Sequence, residues 1–496
     1  MEKKKSILLV TVDCLRADHV GFMGYRRPVT PFLDVLAGES FVFPTAIVAG
    51  APTFYSFPAI LASRYPLALG RDILGLGPDE ATLASVLRQA GYATAAFTAA
   101  NPYISSRFGY QQGFDTFRDY QEDEPAPLPT ENRTIGWTSQ LNRTLQRMRP
   151  NLGPLGVVYD ELYFRYCQRV TALPASVEAL RRYPAADVIV DDACEWLASQ
   201  GDKPFFLWLH LMDPHSPYYP KQEALALMGD RPVTPKRARY VNDSWNRSNL
   251  GPRRFSHYRD EIVRLYDAGI RWVDAQMARL IENLRRADIW KECIFVLTGD
   301  HGEEFLDHGG RYHPPSRLME ELIRVPLLMR VPGGAKNAVS ESPFSLLHLA
   351  PTLLDCVQVS GPTGFEGSSY WPQLQSDGMF DGVAIAECVA GCNNPFRPEN
   401  RLQPRVLAVR EARYKLVLHF EPGVEYLYDL VADPGEQAPL APRAQTIVRR
   451  RLLEIARQHL QKSSRQRDWK KRLQARLNNL RLEWKDPASK ASAVAS

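Results

Sequence analysis

The chain has 496 residues, 45% hydrophobic and 24% charged, an ordinary globular composition with room for one large α/β domain and a smaller one. Its net charge of +5 is uneven: residues 441–496 hold fifteen Lys/Arg against four Asp/Glu, so this tail carries about +11 and the rest of the chain about −6. No apolar run is long enough to span a membrane. The opening run passes straight into charged residues without a cleavage site, and the seven cysteines are odd in number and scattered, so a cytoplasmic, reducing location is expected.

In chain order, KSILLVTVD reads as a buried strand, TPFLDVLAGES as a helix and SFVFPTAIV as the next strand. TLASVLRQAGY is a helix closed by Gly91, and ATAAFTA is the strand after it. Residues 118–185 break the rhythm with a Pro-rich polar stretch and then aromatic, basic helical segments; they read as an insertion over the sheet edge, with the character of a lid. Alternation resumes with the helix ADVIVDDACEWLASQ, the strand PFFLWLHLM, the long amphipathic helix DEIVRLYDAGIRWVDAQMARLIENLRRA, the strands ECIFVLTGD and LIRVPLLMRVP, and the helix FSLLHLAPTLLDCV. This order predicts an α/β fold with a mainly parallel sheet flanked by helices over residues 1–375. GVAIAECV, VLAVREARYKLVLHF and VEYLYDL then predict a small antiparallel subdomain over 376–442, and 443–496 a basic helical tail.

Ligands of an open α/β sheet bind beyond the carboxyl ends of its strands. Four polar features fall there: Asp13; the stretch GAPTFYSFPAILASRYP (50–66); Asp213 with His215; and Asp300 with His301. A strand-end Asp alone is often a cap, and a lone His215 is often a satisfied loop histidine. Asp300-His301 is harder to dismiss, because GEEFLDHGGRYHPP follows and gathers carboxylates and histidines in one loop, as a divalent metal site requires. His308 and His313 compete for one role there, and spacing does not choose between them.

These segments, taken in order, resemble the sulfatases of the alkaline phosphatase superfamily. VTVDCLRADHVGFMGY looks like the family's first strand and metal loop; GYATAAFTAANPY with GFDTF, LHLMDPHSPYYP, VLTGDHGEEFLDHGG with ELIRVPLLMRVPG, ARYKLV, and EYLYDLVADPGEQAPLA look like its later units. The resemblance implies an alkaline-phosphatase-like fold and a metal-dependent hydrolase of sulfate or phosphate esters. Asp13, Asp300 and His301 would be metal ligands, and His215 and His313 would contact the transferred group. Asn101 and His308 are further candidates for substrate contact. The family often has a second acidic residue where Cys14 stands, and many calcium-binding members have Asn where His301 stands. One divalent ion is expected, with manganese or zinc preferred over calcium.

The family's nucleophile is a cysteine, converted to formylglycine, in a C-x-P-x-R stretch. Aligning its downstream ending on ILASRYP puts Thr53 at the cysteine, Tyr55 at the proline and Phe57 at the arginine, with Ser56 as the alternative nucleophile. A threonine ester cannot expel sulfate by elimination to an aldehyde and must be attacked by water or another acceptor, which suits phosphoryl transfer. The expected substrate is thus a small anionic ester on a sugar, lipid or aryl group. A phosphodiesterase or phospho-head-group transferase is one alternative, and a non-catalytic anion-binding relative, consistent with Cys14 and Phe57, is another. No nucleic-acid motif is present; the basic tail suggests a peripheral membrane or protein contact.

Overall fold

A computed structural model describes residues 4–70, 74–121, 154–247, 252–334, 338–340, 342–376 and 382–463. The centre is an eight-stranded sheet in the spatial order Ala338–Val339, Phe41–Val42, Leu327–Arg330, Cys293–Gly299, Ser6–Val12, Phe205–Leu211, Ala93–Thr98, Thr116–Arg118. Leu327–Arg330 runs antiparallel to both its neighbours, and every other pairing is parallel. Ser6–Val12, Phe205–Leu211 and Cys293–Gly299 are buried along their whole length, which explains their continuous apolar runs. Helices cover both faces. One core gathers Trp208, Phe206 and Ile294 against the helices Thr53–Ala62, Leu83–Gln89 and Leu349–Cys356; the other gathers Leu207, Leu209 and Phe295 against Pro31–Ala37, Ala186–Ser199 and Pro252–Arg286.

Two expected strands are each divided at a proline. SFVFPTAIV becomes Phe41–Val42 in the main sheet and Ala46–Ile47 in a separate three-stranded sheet, and LIRVPLLMRVP becomes Arg324–Val325 and Leu327–Arg330 in the same two sheets. Pro44 and Pro326 lack the N–H that a continuous ladder needs, so the chain changes sheets at both. The long helix starts earlier than its apolar pattern, at Pro252. The second half of the 118–185 stretch contains the helix Pro154–Val170, which lies on Pro235–Trp245 through a 2.6 Å hydrogen bond from Gln168 to Asp243 and packing of Phe164 on Tyr240. Residues 122–153 lie outside the described residues.

Ala384–Val389, Arg405–Arg410, Tyr414–His419 and Val424–Asp429 form an antiparallel meander with direct register throughout. A helix over 446–463 packs on it, and the rest of the basic tail lies outside the described residues. Among the described residues, no helix is long and apolar enough to cross a membrane.

Candidate active site

Parallel register builds the site. Val12 pairs with Gly299 on one side and Leu211 on the other, so the residues that follow, Asp13 and Asp300, emerge side by side at the carboxyl edge. Both are fully buried. His301 Nε2 lies 3.6 Å from Asp13 Oδ1 and 3.7 Å from Asp300 Oδ2. The Nδ1–H of His301 donates to the Gly302 carbonyl at 2.8 Å, which fixes the tautomer and leaves the Nε2 lone pair facing the two carboxylates. Burial, then the neighbouring His313, lowers the His301 pKa to about 4, so its imidazole is neutral at neutral pH.

Thr53 enters from the opposite side. It is the first residue of the helix Thr53–Ala62, and its Oγ1 lies 3.1 Å from His301 Nε2. Ser56 is fully buried one turn on, and its hydroxyl donates back to the Thr53 carbonyl at 3.1 Å, so it is turned away from the site. Phe57 is also fully buried, packed against Tyr110, Trp208 and His210. The place that aligns with an arginine is therefore part of the apolar wall.

The two carboxylates differ in environment. Burial would raise Asp13, but His215, His210 and His301 outweigh it and hold the carboxyl well below its usual range. Burial and the charge of Asp13 push Asp300 well above it. Asp300 Oδ1 accepts from the backbone N–H groups of Cys14 and His301, whereas Oδ2 is buried without a hydrogen-bond partner. An orphaned carboxylate oxygen beside a second carboxylate and an imidazole lone pair is the donor arrangement that a divalent cation satisfies. Asp13, Asp300 and His301 thus fit the ion expected from the sequence.

Asn101 is brought to the same place in a supporting role: its Nδ2 donates to Asp13 Oδ2 at 2.8 Å, and its Oδ1 accepts from Tyr103 N. His210, which the sequence reading missed, lies with Nε2 3.3 Å from Asp13 Oδ2 and Nδ1 3.0 Å from Thr11 Oγ1. Within the apolar strand FFLWLHL it has the look of a core histidine; only the pairing of Thr11 with His210 reveals its position.

His215 and His313 lie next to each other on the outer side, ring centroids 5.5 Å apart, and the His313 ring is 4.7 Å from that of His301, tilted by 51°. Glu303 Oε2 lies 3.5 Å from His313 Nδ1; burial lowers the His313 pKa, but Glu303 outweighs it and the net shift is upward. Cys14 Sγ lies 3.2 Å from Asp13 Oδ1. Two other candidates stand apart. His308 binds Glu321 through Nδ1 at 2.7 Å and the Glu436 carbonyl through Nε2. Asp213 pairs with Arg181 at 2.8 Å and accepts from Ala186 N, a structural role.

Sheet, buried carboxylate–imidazole cluster and helix-borne hydroxyl together have the layout of a hydrolase site of the alkaline phosphatase type. The family model described as "Sulfatase" matches residues 5–359, and one described as "N-sulphoglucosamine sulphohydrolase, C-terminal" matches 311–463. The chain belongs to the sulfatase family, whose enzymes are metal-dependent. It is 23% identical to the multifunctional alkaline phosphatase superfamily protein PehA of Trinickia caryophylli, over 88% of this chain and 91% of that protein. It is 25% identical to an arylsulfatase of Clostridium perfringens, over 74% and 77%. Among solved structures, a phosphonate monoester hydrolase of Agrobacterium radiobacter superposes with TM-score 0.63 at 19% identity, covering 93% of this chain and 96% of that one. A protein bound to its substrate D-glucosamine-2-N,6-O-disulfate superposes with TM-score 0.68 at 18% identity, covering 93% and 98%. The relatives are thus sulfate or phosphonate ester hydrolases that share the α/β sheet and C-terminal antiparallel sheet seen here.

Proposed function

We propose that this chain hydrolyses small anionic esters with Thr53 as nucleophile, and that phosphate esters are favoured over sulfate esters. The observation that carries the reading is the placement of Thr53 Oγ1, 3.1 Å from the lone-pair nitrogen of His301 and beside Asp13 and Asp300. Asp13, Asp300 and His301 would hold one divalent cation; a histidine with two carboxylates suits manganese or zinc better than calcium. When bound, the cation supplies charge neutralisation on the ester and favours the ionised hydroxyl.

The chain supplies the rest. The helix that begins at Thr53 directs its N-terminal end at the anion, and the Thr53 oxygen attacks phosphorus as the bond to the leaving oxygen breaks. His215 and His313, on the outer side, contact the remaining oxygens and supply the proton that the leaving group takes. Water then cleaves the threonine ester. Because threonine has no geminal hydroxyl, the aldehyde-forming route that releases sulfate is closed to it.

The test is to assay the purified chain, loaded in turn with manganese, zinc and calcium, against 4-nitrophenyl sulfate, 4-nitrophenyl phosphate, bis(4-nitrophenyl) phosphate and a phenyl phosphonate ester. Phosphorus esters should turn over faster than the sulfate, and Thr53→Ala should lower kcat by roughly 10³-fold or more. Full turnover in Thr53→Ala would remove Thr53 from the mechanism.

A further inference from the structure

The helix Pro154–Val170 carries its apolar stripe outward. Its inner side is the packed one: the Phe164 ring lies on Tyr240 with the Arg247 guanidinium 4.5 Å from its centroid, and Gln168 donates to Asp243 at 2.6 Å. On the other side Val158, Leu162, Tyr166 and Val170 recur at every fourth residue, each between 44% and 62% exposed. A helix that faces only water on its outer side turns such a stripe inward. From Val158 to Leu173 the other exposed residues are Arg165, Arg169, Thr171 and Ala172, so no carboxylate is exposed beside the stripe. The helix's two carboxylates, Asp160 and Glu161, are half-buried, and Glu161 is shared by Arg165 at 2.9 Å, Arg247 at 2.9 Å and Arg254 at 3.5 Å. Residues 132–153, which lead into the helix in sequence, add four arginines and no carboxylate. The stripe therefore lies in a setting with an excess of positive charge.

We propose that this helix docks the protein on an anionic lipid surface. Val158, Leu162, Tyr166 and Val170 enter the boundary between headgroups and acyl chains, and Arg165 and Arg169 extend their stems along it to reach lipid phosphates. Charge selects this occupant over two others. A second copy of the chain would set stripe against stripe and bring arginines together with no exposed carboxylate to pair them. The chain's own preceding residues would add arginines to arginines. A bilayer of anionic lipid supplies both the apolar layer and the missing negative charge. The helix is also tied to the segment that carries His313. Arg247, which holds Glu161, accepts at its carbonyl from Arg311 at 3.0 Å, and Tyr312 donates to Asn246 at 3.4 Å. Docking through this helix thus fixes how that segment sits relative to the headgroup layer.

The test is flotation of the full chain with phosphatidylcholine vesicles, with and without phosphatidylglycerol. The wild type should float with the vesicles that contain phosphatidylglycerol and not with phosphatidylcholine alone. Leu162→Asp combined with Tyr166→Asp should weaken binding by about 10-fold or more. Arg165→Gln and Arg169→Gln, which leave the stripe intact, should weaken it by about fivefold each at low salt. Circular dichroism unchanged from wild type establishes that each variant is folded. Thr53→Ala should float as the wild type does, so the outcome stands apart from the choice of nucleophile. A wild type that does not float, or floats equally with both kinds of vesicle, would overturn the proposal. Undiminished flotation of the aspartate pair would overturn it too, and would move the lipid contact to another segment such as the basic tail. A wild-type dimer in analytical ultracentrifugation that the aspartate pair makes monomeric would give the stripe to a second copy instead. A lower melting temperature of the pair with flotation retained would give it to the protein's own chain.

Discussion

The Thr53 hydroxyl, the His301 lone pair and the orphaned Asp300 Oδ2 converge because each is held by something behind it: a helix start, the Gly302 carbonyl, and two backbone N–H groups on Oδ1. Asn101 does the same for Asp13. It contacts a candidate ligand, so Asn101→Ala should weaken metal affinity by about 10–100-fold, and because its Oδ1 also caps Tyr103 N the variant should lose about 1 kcal/mol of stability. Calorimetric titration of the metal-stripped protein with manganese checks this; unchanged affinity would mean that Asn101 does not position Asp13. Phe57 shows the opposite kind of dependence. Its ring fills space between Tyr110, Trp208 and His210, and Phe57→Ala should cost roughly 3–5 kcal/mol of stability in denaturant titration.

At the scale of elements, the strands and helices whose sequence period matches their burial were legible. Ser6–Val12, Phe205–Leu211 and Cys293–Gly299 are continuous apolar runs because both of their faces are covered, and the polar residues after the first and third are the residues that converge on the site. What the sequence concealed depends on contacts between distant segments. His210 has the look of core until the strand register sets it under Asp13, and Glu303 has the look of one more acid in a loop until its burial is seen. The helix Pro31–Ala37 makes the same point. Its first amides are satisfied from the long helix: Asp274 accepts from Phe32 N at 3.2 Å and Leu33 N at 2.9 Å, while Thr30 makes no cap bond. Asp274→Ala would leave the buried Leu33 N–H and the partly buried Phe32 N–H unpaired and should destabilise the protein by about 1–3 kcal/mol, read as a lower urea midpoint. No local pattern near residue 31 announces a cap 241 positions beyond Leu33.

At the scale of the molecule, the C-terminal sheet is joined to the main sheet by charges as well as by apolar packing. Lys415 is fully buried, 2.7 Å from Glu436 and 3.3 Å from Glu320, and His308 spans the same seam between Glu321 and the Glu436 carbonyl. The hydrogen bond to Glu321 raises His308 against the opposing effect of burial, to about 9. The sign follows from linkage: an imidazole whose folded pKa lies above its ordinary value near 6.5 binds its proton more tightly folded than unfolded. Its contribution is therefore complete below about pH 6.5, shrinks as pH rises, and is gone above about pH 9. Melting temperature measured from pH 6 to 9.5 should fall across that window in the wild type, and the fall should be shallower in His308→Gln, which cannot gain the proton. Because His308 lies at the seam and away from Thr53, the slope should change while the preference among ester substrates does not. Identical slopes for wild type and variant would show that this seam is indifferent to the charge of His308.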